Sequence, residues 1–150
     1  MKDPAAFSIA RVAWSAHADA LRAVRKTVFV VEQRVPAKLE WDGIDDRCVH
    51  VLARSSSGAA IGTGRLLPDG HIGRMAVLKR WRGRGVGSGM LVELLAAARE
   101  HGFERVELSA QTHALGFYRR QGFTAFGGEY LEAGIPHRAM RLKLVKRKRT

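Results

Sequence analysis

The alternation of hydrophobic and polar residues near the start of the chain predicts a strand followed by a helix. Residues 7–14 alternate between apolar and polar side chains, which is typical of a half-buried strand. Apolar residues then recur at helical spacing from Leu21 to Val28, and Ser15 is placed to cap this helix. Residues 28–31 are expected to continue it into a buried end.

A second group of strands is predicted in the middle of the chain, after an irregular segment at 33–46 that contains Pro36 and Gly43. Turn sequences separate these strands at hairpin spacing, which favours an antiparallel meander. The apolar runs that predict them lie at 49–53, 59–67 and 71–78.

The rest of the chain predicts two helices and three strands. The first helix places five apolar residues on one face and ends at Gly102: Met90, Leu91, Leu94, Leu95 and Ala98. The second helix, 113–120, is followed by Gly122. The remaining strands are expected at 106–109, 124–130 and 139–145.

The resulting order, β-α-β-β-β-α-β-α-β-β, predicts a mixed α/β fold with helices on both faces of one sheet. The 150 residues fit one domain, 1–150, and contain no repeat or low-complexity linker. The hydrophobic fraction of 46% and the charged fraction of 27% are those of a globular protein rather than a disordered one.

The number of cysteines and the amino-terminal sequence restrict the class of protein further. The single cysteine, Cys48, lies among apolar residues; it excludes an internal disulfide, and no histidine–cysteine spacing supports a metal site. The first fifteen residues lack the apolar run of a signal peptide, and no segment has the ~18–20 apolar residues that span a bilayer. We therefore expect a soluble, cytoplasmic protein without a membrane partner or a metal.

The net charge of +12 indicates an anionic partner, which could be nucleic acid, an acidic membrane or a phosphorylated small molecule. The basic end, KLVKRKRT at 143–150, is either an anion-binding tail or a solvated, frayed terminus. The chain lacks interleaved basic and aromatic residues and a recognition helix, which argues against nucleic-acid binding.

A glycine-rich stretch, WRGRGVGSG at 81–89, precedes the helix of the second half. The first turn of a helix has unpaired N–H groups and a positive dipole, and glycine lets these donors approach an anion closely. Arg82 and Arg84 add positive charge. A Walker A loop is excluded because no Lys-Ser/Thr pair follows, and a Rossmann fingerprint lacks its final glycine. A bound pyrophosphate remains the favoured explanation, and a purely structural helix start is the alternative.

Residues 82–87, RGRGVG, match a pattern of Arg or Gln, two variable residues, Gly, one variable residue and Gly or Ala. This pattern is the acetyl-CoA-binding motif of the GNAT superfamily of N-acetyltransferases. Residues 106–123, VELSAQTHALGFYRRQGF, also resemble the fifth strand and following helix of that family. Residues 28–46 and 129–140 resemble its small bacterial ElaA-like or YjcF-like subgroup.

The resemblance implies a mixed, mostly antiparallel sheet of six or seven strands, flanked by helices and splayed between strands 4 and 5. It implies an enzyme, an acetyl-CoA-dependent acyltransferase. Such an enzyme transfers an acetyl group to a primary amine of an undefined small molecule or peptide by direct attack in a ternary complex. A basic nucleic-acid-binding module and a non-catalytic acyl-CoA-sensing domain stay as alternatives, and homodimerisation stays open.

The same resemblance assigns residues to the cofactor. The strand backbone at Met75, Ala76 and Val77 would meet the pantetheine arm. A second group lies near the following helix: Gln111, Ala114 and Phe117. The residues expected to surround the pyrophosphate are Arg82, Gly83, Arg84, Gly85, Val86, Gly87 and Ser88. Lys79, Arg80 or Arg119 could meet the ribose phosphate.

For catalysis, the resemblance implies that the Val77 N–H polarises the thioester carbonyl and that Tyr118 protonates the departing thiolate. A tyrosine suits this step because its ordinary pKa of ~10 keeps it protonated at neutral pH. Glu32 is named as the general base, with other candidates open: Glu40, Asp42, Glu129, Glu132, His113 and His137. The acidic residues at 32–46 either attract a cationic amine or pair with arginines, and Trp41 is a candidate wall of the acceptor pocket.

Overall fold

Seven strands form a single sheet in the order β1-β2-β3-β4-β5-β7-β6 in the structure, a computed structural model that describes residues 5–145. All neighbouring strands are antiparallel except β4 and β5, which are parallel. The strands are β1 (Phe7–Val12), β2 (Val49–Ser55), β3 (Ala60–Leu66), β4 (His71–Val77), β5 (Arg105–Gln111), β6 (Thr124–Glu132) and β7 (Ile135–Lys143).

Apart from the short helix α2, the helices fall between the strands in the predicted order. They are α1 (Trp14–Arg25), α2 (Ala37–Glu40), α3 (Val86–Glu100) and α4 (Leu115–Arg120). A π-helical segment (Lys26–Glu32) continues α1, and 3₁₀ turns lie at Asp45–Arg47, Lys79–Trp81 and Thr112–Ala114. The mixed α/β class, with a mostly antiparallel sheet of seven strands, is confirmed.

Helices α1 and α3 cover opposite faces of the sheet. Ala76 of β4 packs with Val24 and Val28, which belong to α1 and the π-helical segment. On the other face, Gly62 and Gly64 of β3 lie against α3, where an added Cβ would meet Met90 and Leu94 side chains at 3.0 Å. The five apolar residues predicted for the inner face of α3 are all buried, which confirms the helical periodicity.

Strands β4 and β5 separate soon after they begin. Their Cα pairing is limited to His71 with Glu107 and Ile72 with Leu108. Strand β4 stays paired with β3 as far as Val77, and β5 stays paired with β7 as far as Gln111. Because each strand keeps its outer partner while losing the inner one, a gap opens between them toward their carboxyl ends. The splay expected between strands 4 and 5 is therefore present.

An extra residue in β4 marks the start of this gap. Three steps along β4, from Gly73 to Ala76, lie opposite two steps along β3, from Arg65 to Thr63. Arg74, inside this bulge, has a positive φ of 50°. This conformation costs a residue with a side chain about 1 kcal/mol or more, and strained residues of this kind cluster at functional sites.

Several predicted element boundaries are wrong. Helix α1 begins at Trp14 and has no side-chain cap, so Ser15 lies inside it. The π-helical segment leaves Val31 67% exposed rather than buried. The irregular segment contains α2, and β7 starts four residues before 139, at Ile135. Pro136 of β7 pairs with Leu131 of β6 and lies just before the first β5–β7 pair, Gln111 with His137, so a residue without an N–H is tolerated there.

Candidate active site

The gap between β4 and β5 opens into a cleft of about 950 Å³. Its walls come from both strands, the π-helical segment, α2, the start of α4 and the turn between β6 and β7. The cleft brings together predicted site residues from both halves of the chain: Glu32, Met75, Ala76, Val77, Arg82, Gly87, Gln111, Ala114, Phe117 and Tyr118. The other predicted residues, Gly83, Arg84, Gly85, Val86 and Ser88, form the loop and first helical turn beside it.

The glycine-rich loop carries a row of available backbone donors. Within the described part of the chain, none of the N–H groups from Gly83 to Ser88 donates to a backbone carbonyl, whereas Gly89 N–H donates to Gly85 at 3.0 Å. Gly83 and Gly85 have φ values of 75° and 87°, which residues with side chains rarely adopt. The loop thus combines unpaired donors with the positive end of the 15-residue helix α3.

The other two glycines of this stretch have different surroundings. Gly87 faces the cleft, where an added Cβ would lie 3.4 Å from Phe117 and 3.9 Å from Val77. Gly89 packs against β1, and an added Cβ would lie 2.4 Å from the Ile9 side chain. Gly87 therefore keeps space open in the cleft, while Gly89 allows α3 to approach the sheet.

Arg82 and Glu32 form a bidentate ion pair at the rim of the cleft. The guanidinium donates to both carboxylate oxygens at 2.7 and 2.8 Å, and its Nε donates to the Val77 carbonyl at 3.0 Å. The hydrogen bond from Arg82 outweighs burial and lowers the pKa of Glu32 below its usual range. A carboxylate held in this way orients Arg82 and is a weak proton acceptor.

Tyr118 lies between two aromatic rings at the inner wall. It is 9% exposed and makes edge-to-face contacts with Phe117 and Phe123, at 5.0 and 5.8 Å between ring centroids. Burial raises the pKa of Tyr118 to about 12. Its hydroxyl forms no hydrogen bond with another group in residues 5–145. The phenol is thus a protonated, unengaged donor at neutral pH.

A pair of glutamine side chains crosses the cleft. Gln111, at the end of β5, and Gln33, after the π-helical segment, exchange amide hydrogen bonds of 2.8 and 3.1 Å. Sequence reasoning selected Gln111 but missed Gln33, because the pair is 78 residues apart and no local pattern marks it.

The acidic residues at 32–46 pair mainly with arginines, which decides between the two alternatives for this segment. Arg25 donates to Glu40 and to Asp45 at 2.7 Å, and Arg65 donates to Asp45 at 2.8 Å and to Asp42. Four of these groups are more than nine-tenths buried rather than solvated: Arg25, Glu40, Asp45 and Arg65.

Burial and the arginine charges act against each other on the carboxyl groups of this cluster, with different net results. Burial works to raise the pKa of Asp42, but the hydrogen bond and charge of Arg65 outweigh it and bring that pKa to about 2. For Glu40, burial prevails over Arg74 and Arg25 and raises the pKa. Trp41 faces Arg22 and Arg25, at 5.8 and 5.2 Å, and does not line the cleft.

The structure also bears on the expectations for a metal site, a membrane-spanning helix, Cys48 and the basic end of the chain. Within residues 5–145, no three His, Cys, Asp or Glu side chains are grouped so that they could hold a metal ion. None of the described helices is long and apolar enough to cross a membrane. Burial raises the pKa of the Cys48 thiol, which makes it a weak nucleophile. The basic residues at 146–150 lie outside the described part of the chain.

The chain belongs to the family described as the acetyltransferase (GNAT) domain, which matches residues 17–144. It is thus an acyltransferase, as the resemblance of residues 82–87 and 106–123 to this family implied. Among curated relatives, it is 38% identical over 121 residues to YjcF of Bacillus subtilis, named an uncharacterized N-acetyltransferase. That alignment covers 78% of this chain and 86% of YjcF.

Two solved structures resemble it along nearly their whole length. An acyl-CoA N-acyltransferase from Pseudomonas aeruginosa has a TM-score of 0.79 and 34% identity, with 91% of this chain and 99% of that one covered. Escherichia coli ElaA has a TM-score of 0.80 and 30% identity, with the same coverage. The predicted resemblance to the ElaA-like and YjcF-like proteins is confirmed.

Proposed function

We propose that this protein transfers an acetyl group from acetyl-CoA to a primary amine by direct attack in a ternary complex. The observation that carries the proposal is the connection of the β4–β5 gap with the loop of unpaired N–H groups at Gly83–Ser88. A long substrate with an anionic pyrophosphate at one end and an amide-containing arm at the other fits these two features together. Acetyl-CoA has that construction and supplies the acetyl thioester.

The backbone of β4 suits the arm of such a substrate. Successive N–H groups in a strand point to alternate edges, and Leu78 N–H donates to Ile61 of β3 at 2.9 Å. The Val77 N–H therefore points away from β3, into the gap. We assign it to the thioester oxygen, where a fixed donor stabilises the negative charge that develops during attack. Met75 and Ala76 line the preceding part of the cleft.

The acid of the reaction is assigned to Tyr118. As the amine nitrogen bonds to the carbonyl carbon and the carbon–sulfur bond breaks, the sulfur needs a proton. The Tyr118 hydroxyl is protonated throughout the neutral range because burial raises its pKa to about 12, and it lies in the wall of the same cleft. Glu32, the predicted base, is assigned instead to holding Arg82 beside the pyrophosphate loop, because of their ion pair.

Calorimetry with acetyl-CoA, followed by a thiol assay for CoA release with a panel of primary amines, tests the proposal. Micromolar binding together with CoA release that depends on an amine is the expected result. Binding without release from any amine would favour the acyl-CoA-sensing alternative, and no binding at millimolar acetyl-CoA would contradict both.

Gly87→Val is expected to raise the dissociation constant for acetyl-CoA at least about tenfold, or ~1.4 kcal/mol. The reason is steric, because the new side chain would enter the cleft beside Phe117 and Val77. Gly128→Val is the matched control, since Gly128 lies on β6 with no heavy atom within 4 Å of an added Cβ. Equal affinities for the two variants would remove Gly87 from the binding site.

A further inference from the structure

We propose that His137 is the general base that takes the proton from the acceptor amine, and that Glu132 positions it. This proposal rests on the proposed acetyl transfer, to which it adds the missing proton acceptor. It depends on three features of the described structure: the place of His137 in the cleft, the fixed orientation of its ring, and its carboxylate partner.

His137 lies on the wall of the cleft formed by β5 and β7. It is directly opposite Gln111 in the β5–β7 pairing, so the two side chains lie on the same face of the sheet. Both residues line the cleft, as does Tyr118. The imidazole is 8% exposed, which shields it from bulk water while the cleft gives it access to a substrate.

The ring of His137 is held in one orientation. Its Nδ1 lies 2.6 Å from the Ile135 carbonyl oxygen, and because a carbonyl only accepts, Nδ1 must carry the hydrogen. In the neutral ring, Nε2 therefore has the free lone pair. Tyr130 stacks on the imidazole at 6.1 Å between centroids with an interplanar angle of 22°, which limits its rotation.

Glu132 supplies the negative charge that a protonated ring requires. Its carboxylate lies 3.4 Å from His137 Nε2 and is within 3.5 Å of the Ser109 hydroxyl, which also bonds to Tyr130. A neutral Nε2 gains nothing from this carboxylate, whereas an imidazolium is stabilised by it. The arrangement thus favours the state that exists after a proton has been taken.

Other groups around His137 do not compete for this role. Of the three titratable groups on β6, Tyr130 and Glu132 face His137, whereas Glu129 does not line the cleft. From the turn before α4, the titratable group that lines the cleft is His113, which is exposed. β5 contributes the uncharged Ser109 and Gln111. The other carboxylates in the cleft wall, Glu32 and Glu40, already accept from arginines.

The proposed step conserves protons. The nitrogen–carbon bond forms as Nε2 of His137 takes a proton from the amine nitrogen, and the carbon–sulfur bond breaks as Tyr118 gives its proton to sulfur. His137 then passes its proton to water by way of Glu132, whose side chain is 59% exposed. Tyr118 regains a proton from solvent, and the products are the amide and free CoA.

His137→Gln tests the assignment, with an alkylamine, spermidine and a lysine-containing peptide as the acceptor panel. The variant is expected to lose about 10²-fold or more in kcat, to keep its acetyl-CoA affinity by calorimetry, and to recover turnover with added imidazole. The acid limb of the wild-type kcat/KM profile should disappear. Unchanged turnover and an unchanged acid limb would overturn the role of His137 while leaving the acetyl-transfer proposal intact.

Glu132→Gln tests whether the Glu132 carboxylate acts on His137 or only supports the fold. Because the carboxylate faces Nε2 of His137 at 3.4 Å, its removal should lower kcat about tenfold while leaving the acetyl-CoA affinity and the thermal melt unchanged. A variant with normal kcat would overturn the pairing. His101→Gln is the matched control: its Nδ1 also bonds a backbone carbonyl, that of Ala97 at 2.8 Å, and its ring stacks on Phe103. It lies outside the cleft lining and should leave turnover unchanged.

Discussion

Tyr118→Phe is expected to lower kcat by about 10²–10⁴-fold, the usual contribution of a general acid, with little change in acetyl-CoA affinity. The loss follows from removing one proton donor from the cleft. The aromatic ring, with its edge contacts to Phe117 and Phe123, would remain in place. The fall should therefore appear in kcat rather than in the binding constant, and steady-state kinetics with calorimetry measures both.

The pH dependence gives a second check on Tyr118. With a pKa of about 12, the Tyr118 phenol stays protonated through pH 10. The kcat of the wild type should therefore not fall between pH 8 and 10 through deprotonation of Tyr118.

The control for Tyr118→Phe is its thermal melt, and a melt that matches the wild type would show that the variant is folded. A variant with normal melting and normal kcat would remove Tyr118 from the reaction.

Arg25→Met is expected to lower the free energy of unfolding by about 3–5 kcal/mol, because it removes the buried guanidinium that two buried carboxylates share. Arg25 is 1% exposed and bonds to both Glu40 and Asp45. For a chain of this length, that loss corresponds to a drop of roughly 10 °C in Tm. Urea denaturation and calorimetric melting measure the two quantities.

Arg11→Met is the matched control for this prediction. Arg11 also bonds two carboxylates, Glu93 and Glu100, but its side chain is 33% exposed. Exposed ion pairs contribute about 0–1 kcal/mol, so this variant should melt near the wild type. Equal losses in the two variants would mean that the burial of the Arg25 cluster does not govern its contribution.

The cluster also makes the Arg25→Met effect depend on pH. Burial alone would raise the pKa of Asp45, but the hydrogen bonds and charges of Arg25 and Arg65 hold it below its usual value. A carboxyl whose pKa is lowered by folding contributes stability that is complete above the unfolded pKa of ~4 and is lost as pH falls further. The difference between variant and wild type should accordingly shrink below pH 4.

The glycine loop and its helix could be predicted from sequence because their signals are local. Glycines and arginines within nine residues, followed by apolar positions at helical spacing, specify a helix start with free donors. Tyr118 and Gln111 were found through family resemblance, since a lone aromatic or amide carries no spacing signal. Their position in the cleft with Val77 follows from the splay of β4 and β5.

The charged cluster and the Gln33–Gln111 bridge could not be predicted, because they join residues far apart in sequence. Arg25 and Glu40 are 15 residues apart, and Arg65 and Asp42 are 23 apart. Each is polar and resembles a surface residue until the chain folds. The early start of β7 was missed for another reason: proline at 136 disfavours a central strand, but here it lies just outside the β5–β7 pairing, which ends at His137.

The four glycines between 81 and 89 have different structural roles, although they are neighbours in sequence. Gly89 packs against the Ile9 side chain of β1, a contact that exists whether or not a ligand is present. Gly87 faces the cleft, and Gly83 and Gly85 set the loop conformation. If the proposed function is correct, a homologue that no longer binds acetyl-CoA would have no need of Gly83, Gly85 and Gly87, whereas the contact of Gly89 with β1 would still favour a small residue.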